Sequence, residues 1–263
     1  MNLERFLANK GRPRLVFATG AGLSKESGIQ TFRDAAGEGL WDGVSVDTVC
    51  NIATFDINYD LIHRFYNNMR VGLQNHEPNI GHEFIARMQQ IYGDDNVIHI
   101  TANVDDLAER AGGTAMHVHG FLTEIVEPYS TNDQNYNVRD IGYTEHTPTK
   151  GVISKPNIVM FGEGFWFKDG VRKNIYDDLY KVLDSLTAED TVIVIGSSDT
   201  VIPWSIYAGL ATNAEVVNVN PEAHENDDYF TYNLYQPISE AVELLEQYTH
   251  ERLHVPDFTN EEY

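Results

Sequence analysis

The 263-residue chain has one cysteine, Cys50, which excludes an internal disulfide and any metal site built from several thiolates. Basic side chains are scarce: 18 Lys and Arg stand against 40 Asp and Glu, a formal net charge of −22. A phosphate backbone is gripped by Lys and Arg, so no nucleic-acid partner is expected. The acid surplus fits a basic protein or peptide drawn in by long-range attraction. It fits equally well a surface whose charge only keeps the protein in solution. No run approaches the roughly 18 consecutive apolar residues of a membrane helix, so no membrane span is expected. The opening MNLERFLANKGRPR has Glu4 early and no apolar leader core, and with the single cysteine it points to a cytoplasmic protein.

What the chain does have is 42% apolar residues, enough for one substantial core. β-rich runs alternate with helix-length amphipathic stretches, the pattern of an α/β protein with a parallel sheet. Strands are expected at Leu15–Thr19, Asn96–Thr101, Ala115–Val118, Ile158–Phe161, Thr191–Gly196 and Glu215–Val219. Helices are expected at Ile80–Ile91, Val104–Ala111, Lys173–Leu186, Ile206–Leu210 and Ile238–Tyr248. Two stretches break the alternation: 35–75 is helical and loop-like, and 123–150 is polar without a clear period. Both read as insertions forming a small lobe on a core made of about 12–34, 76–122 and 151–250. The tail PDFTNEEY reads as a frayed acidic end.

Candidate chemistry gathers at strand ends. Leu15–Thr19 runs into GAGLSKESGIQTFRD, where Gly20 and Gly22 allow close backbone approach and Ala21 is nearly as small. A glycine turn after such a strand is where a dinucleotide pyrophosphate meets backbone N–H groups. The G-x-G spacing lacks the third glycine of the common fingerprint. At 101–105, Asn103 and Asp105 follow a strand and offer polar contacts to a ligand or, equally, a cap to the next helix. In AMHVHGFL, His117 and His119 share a face if the strand continues, as structural imidazoles or as a general base. Gly120 opens the backbone beside His119 and favours it as the base. Gly196, Ser197 and Ser198 can present N–H and hydroxyl groups to a phosphate or ribose, and Asn220 can reach a ribose hydroxyl.

In this order the motifs resemble the sirtuins, the NAD-dependent protein deacylases. GAGLSKESGIQTFRD is similar to the family's GAGxSxxSGIPxFR, EPNIGHEF to its PNxxH helix start and TANVDDLAERAG to its TQNVDxLHxRAG. HVHG resembles its LHG, PNIVMFGE its PxVVxFGE, GSSDTVIP its GTSxxVxP and VNVNPE its INxE. The resemblance implies a Rossmann-like NAD domain facing a smaller lobe, with His119 and Asn103 as the catalytic residues. It puts Ala21, Gly22 and Ser24 on the phosphates and Phe32 and Arg33 over the nicotinamide and ribose. Ile29, Asn103 and Asp105 would hold the nicotinamide. An acyl-lysine protein or peptide would lie as an added strand between Phe161, Gly162, Glu163 and the turn near Val201.

Departures from the pattern are as informative. Gln30 replaces the family's Pro, Ala102 its Gln and Ala108 its second His. Residues 121–157 contain no Cys, so the structural zinc usual in sirtuins has no thiolates and the lobe reads as metal-free. A desuccinylase-type member carries Tyr-x-x-Arg; here Tyr66 is followed by Met69, with Arg70 one place on. Neutral acyl groups are therefore expected. Two alternatives remain: an NAD glycohydrolase using water, and an NAD or ADP-ribose sensor without turnover.

Overall fold

Every residue of Leu15–Thr19 is buried, as a strand covered on both faces must be. The computed structural model describes residues 2–31, 40–41, 44–130, 137–168, 171–174 and 176–253. It begins with α1 (Leu3–Ala8), β1 (Leu15–Thr19), α2 (Ala21–Lys25), β2 (Leu40–Trp41), β3 (Val44–Ser45) and α3 (Val46–Val49). Two long helices, α4 (Tyr59–Leu73) and α5 (Ile80–Tyr92), precede β4 (Val97–Thr101), α6 (Leu107–Arg110) and β5 (Met116–His117). Next come β6 (Gly120–Val126), β7 (Val138–Asp140), β8 (Lys155–Ile158), β9 (Phe165–Lys168) and β10 (Val171–Asn174). They are followed by α7 (Asp177–Ser185), β11 (Thr191–Ile195), β12 (Glu215–Val219), β13 (Tyr232–Leu234) and α8 (Ile238–Leu253).

Six strands form one all-parallel sheet in the order β13-β12-β11-β1-β4-β5. The period of two sorts its side chains onto two faces. Val16, Ala18, Ile98, Ile100, Val192 and Val194 pack with α1 and α7 on one side. Leu15, Phe17, Val97, Ile193 and Ile195 pack with α5 and α8 on the other. From β1 the chain goes next to β4 on one side and later to β11 on the other, so the strand order reverses between β1 and β11. That is the switch point at which open α/β sheets bind ligands, outside the carboxyl ends.

At the opposite end of the sheet lies a buried ion pair. Arg14 enters β1 and Asp190 enters β11, with Nε 3.1 Å from Oδ1 and Nη2 2.8 Å from Oδ2. The remaining donors of Arg14 reach the carbonyls of Phe6 at 3.2 Å and Ser185 at 2.5 Å. Burial alone would raise the pKa of Asp190, but the bonds from Arg14 and Thr187 outweigh it and hold it below the usual value.

The smaller lobe corrects several expectations. The polar stretch 123–150 contains strand: β6 pairs antiparallel with both β7 and β8 in a separate three-stranded sheet. The strand expected at Ile158–Phe161 lies at Lys155–Ile158 and belongs to that sheet, not to the parallel one. Phe161 instead bridges Asn51. The helix expected from Lys173 starts at Asp177, because Val171–Asn174 forms a hairpin with Phe165–Lys168. The helix expected over Val104–Ala111 is confined to Leu107–Arg110, and Ile206–Leu210 lies in a π-helix spanning Ser205–Leu210. α8 runs on to Leu253; the acidic tail beyond it lies outside the described residues. α4 puts Ile62, Phe65 and Tyr66 into a lobe core with Leu122, Val126, Ile158 and Met160. No described helix is long and apolar enough to cross a membrane.

Burial also makes the chain acid-sensitive. It lowers the pKa of His63 and of His82 from 6.5 to about 4 and pushes that of His99 well below 6.5. These rings stay neutral when folded but take up a proton near pH 6.5 when unfolded. Stability is therefore full above about pH 6.5 and falls as pH drops toward 4, by up to about 1.4 kcal/mol per pH unit for each ring. Urea midpoints that stay constant between pH 7 and pH 5 would contradict this.

Candidate active site

At the switch point two loops meet backbone to backbone. The N–H of Gly22 donates to the carbonyl of Gly196 at 2.8 Å, and a Cβ on Gly22 would lie 2.6 Å from the Gly196 Cα. Gly196 has φ +62°, the left-handed region that favours glycine. Any side chain here would force the loops apart. The small-residue turn read from the sequence thus lets α2 start in direct contact with the main chain at the carboxyl ends of β1 and β11.

Three of the expected residues converge beside it. Asn103 Nδ2 donates to Ser24 Oγ at 3.0 Å, and Ser24 Oγ donates to Asp105 Oδ2 at 2.8 Å. Asp105 also accepts from the Leu107 N–H at 3.2 Å, so it caps α6 and holds Ser24 at once. Burial raises its pKa. His82 was not assigned a role from the sequence, yet its Nε2 lies 3.5 Å from Ser24 Oγ. Its Nδ1 accepts the Asn79 N–H at 3.3 Å in the capping box of α5, which leaves the ring proton on Nε2, facing Ser24. The PNxxH spacing was the available sign of it.

The two histidines separate cleanly. β5 ends at His117 and Gly120 has φ +81°, so they do not share a strand face as expected. His117 Nδ1 donates to the Asn103 carbonyl at 2.8 Å and Nε2 faces Glu109 Oε1 at 3.2 Å, with the ring against Phe121. Both ring nitrogens thus face partners within the protein. His119 Nδ1 donates to the Ala102 carbonyl at 3.0 Å. A carbonyl only accepts, so the proton sits on Nδ1 and the Nε2 lone pair has no partner among the described residues. Burial lowers the His119 pKa against the opposing pull of that hydrogen bond, which keeps the ring neutral. Gly120 is required here because a Cβ would lie 2.1 Å from the Asn157 carbonyl where β6 crosses β8.

Other expected residues are placed differently. Ile29 packs against the lobe core beside Val104, at the junction of the two parts. Asn220 Nδ2 donates to the Ser197 carbonyl at 2.6 Å and its Oδ1 accepts the Glu222 N–H, so the amide staples two loops. Ser198 is exposed and Ser197 buried. The main chain of Phe161 is paired to Cys50 and Ile52, at 2.6 Å and 3.0 Å, while Gly162 and Val201 are exposed. Glu163 is interior: Oε2 lies 2.9 Å from Lys155 Nζ and accepts the Met160 N–H. Tyr66 is buried and donates to Cys50 Sγ at 3.1 Å. Ala21 sits half-buried in the first turn of α2, and Gly20 caps it. Phe32 and Arg33 lie outside the described residues.

The described residues of the lobe bring together no set of zinc ligands. Among the described residues no group of three or more His, Cys, Asp or Glu side chains stands close enough to hold a metal. Its interior is joined by other means: His146 Nε2 meets Ser154 Oγ at 2.9 Å and Glu127 at 3.2 Å, and His63 meets the Ser154 carbonyl at 3.1 Å.

Comparison with known proteins gives the same picture. The profile described as "Sir2 family" matches residues 20–203. An NAD-dependent protein deacylase of Helicobacter hepaticus is 34% identical, covering 89% of this chain and 96% of that protein. One of Escherichia coli strain K12 is 33% identical, covering 88% and 80%. A solved Sir2 homologue in complex with NAD is 25% identical, covers 96% of this chain and 94% of the other, and superposes with a TM-score of 0.71. With its glycine turn at the switch point and a family match across most of its length, this chain belongs to the Sir2 family.

Proposed function

We propose that this chain is an NAD-dependent protein deacylase, and the observation that carries the reading is His119, whose Nε2 has no partner among the described residues and whose ring is anchored on Ala102, next to Asn103 of the linked Ser24, Asn103 and Asp105. The start of α2 at Ala21, at the carboxyl end of β1 and the switch point, is where the pyrophosphate of NAD would meet main chain. When bound, NAD supplies a ribose carbon that turns electrophilic as nicotinamide departs, and an ADP-ribose that accepts the acyl group. Asn103 and Asp105 orient the nicotinamide end, and Ser24 links them to α2. His119 takes the proton of a ribose hydroxyl on Nε2 while Ala102 fixes the ring. Val201 and Gly162 border the acyl-lysine peptide, whose basic character matches the net charge of −22. The lobe works without metal and the protein in the cytoplasm.

The test is NAD consumption with and without an acetyl-lysine peptide, in EDTA, with the products identified. Peptide-dependent release of nicotinamide and O-acetyl-ADP-ribose is expected. Plain ADP-ribose formed equally fast without peptide would turn the reading to the glycohydrolase.

Acyl choice follows from the lobe interior. Tyr66 is tied to Cys50, Met69 takes the place of an Arg, and Arg70 donates to the Leu122 carbonyl and Asn67 Oδ1, both at 2.7 Å. A carboxylate buried here without a cation costs several kcal/mol, so acetyl-lysine is expected to react at least about ten-fold faster than succinyl-lysine. Equal rates would mean that Arg70 Nη2, buried without a partner among the described residues, reaches the acyl group.

A further inference from the structure

Among the described residues Asp199 is the one non-glycine with positive φ, at +56°. Side chains other than glycine enter that region at a cost, and such strain persists where surrounding contacts over-determine it. Those contacts are visible. Asp199 Oδ1 accepts the Ser205 N–H at 3.0 Å, Oδ2 accepts the Ser205 hydroxyl, and the Asp199 N–H donates to Ser197 Oγ at 3.1 Å. Ser205 is wholly buried, as is Trp204 before it, and Ser205 opens the π-helix Ser205–Leu210, a rare conformation that clusters at functional sites. Between the anchors Ile202 is buried in the core, while the crest has little packing: Ser198 and Thr200 are exposed and Val201 is 49% exposed. The other side of the loop is held by Asn220, which grips the Ser197 carbonyl.

We propose that Asp199 is a positioning residue: by gripping Ser205 from a left-handed backbone it sets the arch 197–203, so that one end serves the cofactor and the other the acyl peptide. The proposal rests on the cofactor and substrate placement given above. Packing at Ile202 seats one end of the arch in the core but cannot set the crest, Ser198 to Val201, where Ser198, Thr200 and Val201 are exposed. The carboxylate can, since it closes a ring of seven residues onto a buried anchor. One side chain then couples two binding steps that involve different residues, Ser197 and Ser198 for the cofactor and Val201 for the peptide.

Three variants separate grip from strain. Asp199→Gly adopts φ +56° freely but has no carboxylate. Asp199→Asn tolerates the same backbone and can still pair with Ser205, whose hydroxyl can turn to accept. Ser205→Ala removes one of the two bonds and leaves residue 199 intact. In Asp199→Gly the Kd for ADP-ribose by calorimetry and the KM for acetyl-lysine peptide are each expected to rise about five- to ten-fold, with kcat within about two-fold. Ser205→Ala is expected to show a smaller rise in both, and Asp199→Asn to stay within about two-fold of the parent. Unchanged ADP-ribose affinity and peptide KM in Asp199→Gly overturn the proposal; if that variant does not fold, the same result in Ser205→Ala does so. Asp199→Asn as impaired as Asp199→Gly also overturns it, since charge and not grip would then be at work. Calorimetry needs no turnover. A chain that binds ADP-ribose but deacylates nothing would therefore refute the assigned activity and still test the arch.

Discussion

His119→Ala lowers kcat on an acetyl-lysine peptide by about 10²- to 10⁴-fold, the range lost with a general base, while ADP-ribose affinity stays near the parent value. The contrast with His117→Ala is the sharper half of the expectation. His117 has both ring nitrogens on acceptors, the Asn103 carbonyl and Glu109, so its loss loosens the fold more than it removes a base. Turnover in His117→Ala should fall far less, and its melting temperature more. The reverse pattern would refute the assignment. Burial depresses the pKa of His119 below 6.5, so the acid limb of kcat/KM should lie below that value. As pH falls through the limb Nε2 takes a proton and the base is lost. A limb above pH 6.5 would mean that another group titrates.

The second large effect lies at the far end of the sheet. Asp190→Ala leaves the Arg14 guanidinium buried, 1% exposed, with only neutral partners. Breaking a buried pair in this way costs about 3–5 kcal/mol, which for a chain of this length lowers the melting temperature by about 10 °C. Because the folded pKa of Asp190 is depressed, its contribution is present above the usual carboxylate range and vanishes as pH falls through the folded value. The double variant Arg14→Met, Asp190→Leu should recover part of the loss, since no charge stays buried. Recovery stays partial because the carbonyls of Phe6 and Ser185 lose their donor. A melting temperature unchanged in Asp190→Ala would show that the pair stabilises nothing.

Much of the parallel sheet was legible because its determinants are local. β1 and β12 occupy the residues expected from their apolar runs, and Asn103 and Asp105 stand at the end of β4 as strand-end residues should. The small sheet was not legible. β6 starts in the apolar GFL ahead of the polar stretch and β7 lies within it; they pair with each other and β6 with β8, beneath α4, and single-strand periodicity carries no trace of that pairing. The same limit applies to side chains with two plausible fates. Glu163 and Tyr66 carry groups suited to a ligand, yet Lys155 and Cys50, distant in sequence or without evident relation to them, draw both inward. His82 went unassigned for the opposite reason: its contact with Ser24 bridges 58 residues of chain.

What orients the base is a main-chain oxygen, and every amino acid carries one. The tautomer of His119 is therefore indifferent to which side chain stands at position 102, where this protein has Ala. Side chains at 102 that fit beside the core leave the tautomer unchanged, and only packing and the N–H bond to Thr19 constrain the choice from within the protein. Gly120 has no such latitude, since even one added carbon collides with Asn157. Two neighbours of a single imidazole thus differ in mutational tolerance: at one the tautomer does not depend on the side chain, at the other no side chain fits.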